Sequence, residues 1–254
     1  NMLFNSYIFI FIFLSSVYLI FRLSSRFNSN VSLGILIMSG PIKVLAFDLD
    51  NTIFSEIIFF KKIIKNCAHK IMYKDDDVEL FDVVYNSNSK DLFGDFLRKV
   101  NKYSTYNQNI LFSEYKFGKL ELKIKRSRLL MLSKCRDRFK TCLLTNGVLQ
   151  AQKNKIKSLG IEDLFDSIMY ARSNGIENEK PNSKAFKMIC NHFKCKPSEV
   201  MFVGDHPIND ILGAKKFGMT AVWTSEFTEC KNIPPEADYH IQNLHELTKI
   251  LGVM

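Results

Sequence analysis

The six cysteines of the chain form no CxxC pair and show no metal-ligand spacing, and they lie in apolar segments where a thiol behaves as a small hydrophobe. Nothing in the sequence therefore supports a disulfide framework or a cysteine-bound metal, and a reducing, cytoplasmic setting is the expectation. Glycine and proline are sparse, at 11 and 6 of 254 residues. There is no internal repeat, no low-complexity linker and no heptad pattern, which removes collagen-like, repeat and coiled-coil architectures. What is present is 46% hydrophobic and 24% charged side chains, too apolar for a disordered chain and enough for one large domain or a domain with a sizeable insertion.

Charge is also absent from Leu3 to Phe21, a nineteen-residue apolar run about as long as a bilayer is thick. With Arg22 and Arg26 behind it, the run reads as a membrane anchor that leaves the remainder on the cytoplasmic side. It reads equally well as a stretch missing from a mature chain that begins at Met38, immediately before SGPIKVLAFDLD. Residues 1–37 are accordingly set apart, and contact with a membrane is expected only if residues 3–21 are retained.

The net charge of +9 is unevenly distributed. Residues 54–140 hold 19 basic and 11 acidic side chains, an excess of eight, whereas residues 141–254 hold 13 of each. Any functional use of the positive charge belongs to the middle segment, and no nucleic-acid partner is expected.

From Lys43 onward short apolar runs alternate with helical patterns, the mark of an α/β fold with a Rossmann-like parallel sheet covered by helices on both faces. The runs 43–47, 141–144, 167–170, 200–203 and 220–223 predict buried strands, with a last strand near Tyr239. Helices are predicted over 149–159 (ending at Gly160), 185–193 (with Ser183 as N-cap), 208–217 (ending at Gly218) and 244–251. Residues 54–140 are too many for a crossover connection and predict an inserted, all-helical cap domain; residues 38–53 and 141–254 form the core. In the insertion Phe60, Ile64, Cys67 and Ile71 recur on one helix face, Phe117, Leu120 and Ile124 repeat that spacing, and fourteen aromatic residues are available to fill a small core.

Four short segments follow predicted strands, where parallel sheets place their ligands. Asp48 and Asp50 leave the first strand two residues apart with no basic neighbour, an arrangement that calls for a cation or a shared proton, although an ordinary acidic turn has the same look. Thr145, Asn146 and Gly147 offer a hydroxyl and amides at a helix start, suited to phosphate oxygens or to simple capping. Lys180 stands before Pro181, where a lysine is usually solvated. Asp205 sits at a strand end and Asp210 a turn into the next helix, so that both can face one crevice. Each segment alone is weak evidence; the four in this order, each at a strand end, make a site.

DLDNT, LLTNG, EKPNSKAF and GDHPINDILGAKKFGM resemble the four motifs of haloacid dehalogenase superfamily phosphatases, over about residues 42–223. The long gap between Asp48 and Thr145 is similar to that of the branch with a helical cap after the first motif, which includes nucleotidase-like and flavin-mononucleotide phosphatases. The resemblance implies a magnesium-dependent phosphatase. Asp48 would be the nucleophile that becomes an aspartyl-phosphate, and Asp50 the general acid and base. Lys180 and Thr145, with Asn146 beside it, would hold phosphoryl oxygens. Mg2+ would be bound by Asp48, the main-chain carbonyl of Asp50 and Asp205, with Asp210 supporting the metal site from behind these ligands or through Lys180. His206 is rejected as a ligand and expected to contact the loop backbone, because imidazole suits magnesium poorly.

The substrate class implied is a small phosphorylated metabolite: a nucleotide, flavin mononucleotide or a sugar or sialic acid phosphate. Lys116, Lys119, Lys123, Lys125, Arg126 and Arg128 are expected to form a solvated helix face that steers anions. The alternative of a different class is a catalytically quiet scaffold, or a membrane-tethered binding protein, that uses the basic cap. Oligomeric state is not legible.

Overall fold

The computed structural model describes residues 41–87, 89–228 and 232–252; the apolar run 3–21, Met38 and Cys230 lie outside them. Among the described residues no helix is long and apolar enough to cross a membrane, and five cysteines are unpaired.

Six strands, β1 (Val44–Phe47), β2 (Lys140–Thr145), β3 (Ser167–Tyr170), β4 (Val200–Gly204), β5 (Thr220–Thr224) and β6 (Tyr239–Ile241), form one sheet in the order β3-β2-β1-β4-β5-β6. Every pairing is parallel. The strands are apolar almost throughout because both faces are covered. Leu45, Phe47, Leu143, Met201, Val203 and Val222 point into one hydrophobic layer; Val44, Ala46, Cys142, Leu144, Val200, Phe202, Ala221 and Trp223 point into the other. The period of two along each strand produces this division. The strand order reverses direction at β1, so the carboxyl ends of β1, β2 and β4 surround the crevice where such sheets hold ligands.

Between β1 and β2 run five helices, α1 (Glu56–Ile71), α2 (Leu80–Asn86), α3 (Leu92–Lys99), α4 (Thr105–Phe117) and α5 (Arg126–Arg138). Asp91 caps α3 by accepting from the Gly94 amide at 3.1 Å, and Ser104 caps α4 by accepting from Asn107 at 3.1 Å. The α1–α4 core is aromatic, with the Phe60 ring 5.6–5.7 Å from those of Phe81, Phe93 and Tyr115. Helix α5 instead packs on β2 and on residues 162–164 and 244–246. Its Arg128 donates to the Ile53 carbonyl at 2.6 Å and pairs with Glu226.

Two expectations for the insertion need correction. Phe117 ends α4 and is exposed, and residues 118–125 are not helical. In that stretch Leu120 is buried and Leu122 and Ile124 are half-buried, while Lys119, Glu121, Lys123 and Lys125 face solvent. KLELKIK alternates with a period of two, so it is an extended segment with one apolar side. The basic residues 116–128 consequently do not share a helix face, and Arg128 is ion-paired at 9% side-chain exposure rather than solvated.

After β2 come α6 (Leu149–Leu159), α7 (Ser183–Phe193), α8 (Gly213–Phe217) and α9 (Leu247–Leu251). The cap of α7 is Asn182, whose side chain accepts from Lys184 at 2.9 Å, so Ser183 is the first helical residue rather than the cap. Pro207–Leu212 forms a π-helical turn ahead of α8, and Leu244–Glu246 a 3-10 turn ahead of α9.

Candidate active site

Asp48 follows β1, and its amide donates to Val203 of β4 at 2.9 Å, which carries the sheet pairing one residue past the strand and fixes the carboxylate over the crevice. Asp205 follows β4. Its carbonyl accepts from the Trp223 indole at 2.7 Å, and its carboxylate from the Thr52 hydroxyl at 3.5 Å. Asp210 lies in the π-helical turn and accepts from the His206 amide at 3.0 Å. Gly204 makes room for it, since a β-carbon there would fall 2.4 Å from the Asp210 β-carbon. The His206 ring caps the same turn, accepting at Nδ1 from the amides of Ile208 and Asn209 at 3.2 and 3.1 Å, and so contacts backbone as expected.

Asp48, Asp205 and Asp210 are buried, and each offers a carboxylate oxygen within 4.8 Å of the others. One ammonium stands among them: Lys180 Nζ is 2.5 Å from Asp48 Oδ1 and 2.7 Å from Asp210 Oδ1. Lys180 is 4% exposed, and the carboxylates of Asp210 and Asp48 raise its pKa against the opposing effect of burial. Burial raises Asp48 to about 7 while Lys180 opposes the shift and Asp210 adds to it. Burial, then Asp210 and Asp48, raise Asp205 to about 9. Three carboxylates with one compensating charge are thus short of positive charge, and their hard oxygen donors at this spacing fit a divalent metal ion.

The Lys180 main chain is held by Asn146, whose side-chain oxygen accepts from the Lys180 amide and whose Nδ2 donates to the Lys180 carbonyl, each at 2.9 Å. The Asn146 side chain is therefore occupied in joining two loops. Thr145 ends β2 and donates to the Asn146 carbonyl at 3.2 Å, through a hydroxyl free to rotate. Beside them Glu179 accepts from the Gly147 amide at 2.5 Å and pairs with Arg172 at 2.8 and 3.0 Å. Despite partial burial, these contacts hold the Glu179 carboxyl below its usual range.

Asp50 points elsewhere, toward α6, where Gln152 Nε2 donates to its Oδ2 at 2.8 Å and Lys155 Nζ pairs with its Oδ1. Lys155 and Gln152 carry no motif and are not foreseeable at a strand end. Their signal is on the helix: Ala151, Gln152, Lys155, Ile156 and Leu159 form the buried face of α6, and two of those five are polar. Glu56, raised to about 7 by burial and by Asp50, is likewise missed.

The sequence model of the haloacid dehalogenase-like hydrolases matches residues 45–224. A glyceraldehyde 3-phosphate phosphatase of Pyrococcus furiosus is 33% identical over 83% of this chain and 93% of its own length. The human N-acylneuraminate-9-phosphatase is 26% identical over 83% of this chain and 94% of its own. Among solved structures, the magnesium-bound HAD-hydrolase YfnB of Bacillus subtilis superposes with a TM-score of 0.69, covering 84% of this chain and 100% of that one. At 18% identity that likeness is one of fold.

Proposed function

The chain belongs to the haloacid dehalogenase-like hydrolase family and is a phosphatase within it, and from that premise we propose that it hydrolyses a small phosphomonoester metabolite with Asp48 as nucleophile. An Asp48 oxygen attacks phosphorus, the ester P–O bond breaks, and an aspartyl-phosphate forms. Asp50 gives a proton to the departing alkoxide, then takes one from the water that hydrolyses the aspartyl-phosphate. Lys180, already against Asp48, neutralises phosphoryl oxygens, and the Thr145 hydroxyl turns from the Asn146 carbonyl to donate to them. Asn146 acts by holding the Lys180 backbone.

Magnesium is the ion this reading calls for, with Asp48, Asp205 and the carbonyl of Asp50 to hold it and Asp210 linked through Lys180. When bound it would offset the repulsion between a carboxylate and a phosphate. The observation that carries the proposal is the convergence of three buried carboxylates on one lysine at the sheet's carboxyl rim. The positive charge of residues 54–140 favours an anionic metabolite, such as a nucleotide, flavin mononucleotide or a sugar acid phosphate. The unpaired cysteines support a cytoplasmic setting.

The test is turnover of a panel of phosphomonoesters that includes glyceraldehyde 3-phosphate, N-acylneuraminate 9-phosphate, nucleotides and flavin mononucleotide. Asp48→Asn is expected to abolish activity and Asp50→Asn to lower kcat by about 100-fold or more. EDTA is expected to remove activity and added magnesium to restore it. Wild-type rates in Asp48→Asn would refute the nucleophile assignment, and no turnover of any ester by the folded, magnesium-loaded protein would favour a scaffold.

A further inference from the structure

Lys155 is completely buried, yet it lies outside the cluster around Asp48. Its ammonium pairs with Asp50 Oδ1 and stands 3.9 Å from Glu56 Oε1, with the Phe59 ring 4.5 Å away on another side. Gln152, one helical turn earlier, occupies the second Asp50 oxygen at 2.8 Å. Glu56 opens α1, the first helix of the insertion. Its amide donates to the Asn51 side chain at 3.0 Å, and its carboxylate accepts from the Tyr85 hydroxyl at 3.1 Å. Tyr85 in turn accepts from Asn51 Nδ2 at 3.2 Å. Residues 50 and 51 from the sheet rim and residues 56 and 85 from the insertion thus close a ring of polar contacts beside one buried ammonium.

We propose that Lys155 is a positioning residue that, with Gln152, sets where the Asp50 carboxylate sits and couples it to Glu56 at the entry to the helical insertion. The inference rests on the acid/base reading of Asp50 and deepens it. A general acid works only within hydrogen-bond reach of the oxygen it protonates, and a displacement of about 1 Å is costly. A carboxylate on a turn, otherwise free about two torsions, is held here by donors on both oxygens. Those donors come from a helix rooted in the sheet layer, since Ile156 and Leu159 on the same face pack into it. A shift of α1 relative to the sheet would pull Glu56 from Lys155 and disturb the ammonium that holds Asp50. The contact therefore makes placement of the acid depend on placement of the insertion.

The test compares two phosphomonoesters with the full chain and magnesium: an alkyl phosphate, whose alkoxide must be protonated as it leaves, and p-nitrophenyl phosphate, whose phenolate leaves unaided. Asp50→Asn provides the reference split between them, read in kcat/KM, which covers the step in which the alcohol leaves and not the later hydrolysis of the aspartyl-phosphate that both esters share. Lys155→Met is expected to lower kcat/KM on the alkyl ester by about 10- to 100-fold, toward the loss expected for a missing acid, and on p-nitrophenyl phosphate far less. Lys155→Arg, which keeps the charge, is expected to recover part of the alkyl rate, and Glu56→Gln to give a smaller loss with the same split. Equal losses on both esters in Lys155→Met, or none, overturn the inference. Should Lys155→Met fail to fold, Gln152→Leu frees one Asp50 oxygen without stranding a buried charge, and the same criterion applies to it. A split in Asp50→Asn without one in the α6 variants overturns the inference alone, whereas no split in Asp50→Asn overturns the acid/base reading as well.

Discussion

Asp48 and Asp205 are carboxyls that folding makes harder to ionise, because burial and the neighbouring charge of Asp210 favour the protonated form. An acid whose folded pKa lies above its unfolded value binds its proton more tightly when folded. The stability it contributes is whole below about pH 4 and is lost as the pH rises through the folded value, here about 7 for Asp48 and about 9 for Asp205. Glu56, also raised to about 7, acts in the same direction. The EDTA-treated protein is thus expected to melt at progressively lower temperature between pH 5 and pH 9, and magnesium to restore most of the loss at the upper end. A melting temperature that is flat or rises over that range without metal would contradict the assigned environment of the acids. At the same scale, Gly204→Ala should displace Asp210, because the new methyl would overlap its side chain, and magnesium should then stabilise the variant less than the wild type, as thermal shifts would register. Asp48 and Asp205 were legible in the sequence because each follows a strand, and the fold brings strand ends together. Lys155 and Gln152 were not, because whether a polar residue on an amphipathic helix meets water or a buried partner depends on which elements cover it.

Elements of the insertion are held chiefly by aromatic packing rather than by polar contacts. Phe60 meets the rings of Phe59, Phe81, Tyr85, Phe93 and Tyr115, which belong to α1, α2, α3 and α4. Phe60→Ala is expected to destabilise the fold by about 3–5 kcal/mol, and Phe60→Leu by less, since only the cavity left by the ring differs. Urea unfolding measures the loss. Hydrogen exchange should show it first in α1–α4; loss spread evenly over β1–β6 would mean that the aromatic cluster does not hold the insertion together. The strands were readable from their apolar runs within a residue or two at each end. The segment 118–125 was misassigned because Phe117, Leu120 and Ile124 satisfy a helical spacing while Leu120, Leu122 and Ile124 satisfy a strand-like one, and Gly118 breaks the helix before the first pattern can continue. The π-helical turn at Pro207–Leu212 had no sequence signature beyond its proline, yet it is what carries Asp210 back over β4.

Among the described residues, those from Pro41 onward form one compact unit, and a single hydrophobic cluster runs from Leu45 and Phe47 in the sheet through Leu49, Ile53 and Phe54 to Phe59, Phe60 and Phe93 in the insertion. The positive charge is concentrated on that same insertion. A groove of about 530 Å³ between its residues 116–121 and α6 is lined by Lys116, Lys119, Lys153 and Lys157, with Glu121 as its one acid. A field of this kind acts on an anion before contact, so it raises the rate of encounter and leaves the chemical step alone. For an anionic phosphoester, kcat/KM is expected to fall several-fold as ionic strength rises from about 0.01 to 0.15 M, over which the screening length contracts from about 30 to 8 Å, while kcat stays level. Replacing Lys116, Lys119, Lys153 and Lys157 together by glutamine should flatten that dependence and leave kcat at saturating substrate unchanged, because none of the four touches the cluster around Asp48. Steady-state kinetics over a salt series distinguishes the cases. If the quadruple variant keeps the wild-type salt slope, the attraction resides elsewhere on the insertion; if the wild type has no slope, its charge does not reach the substrate at all.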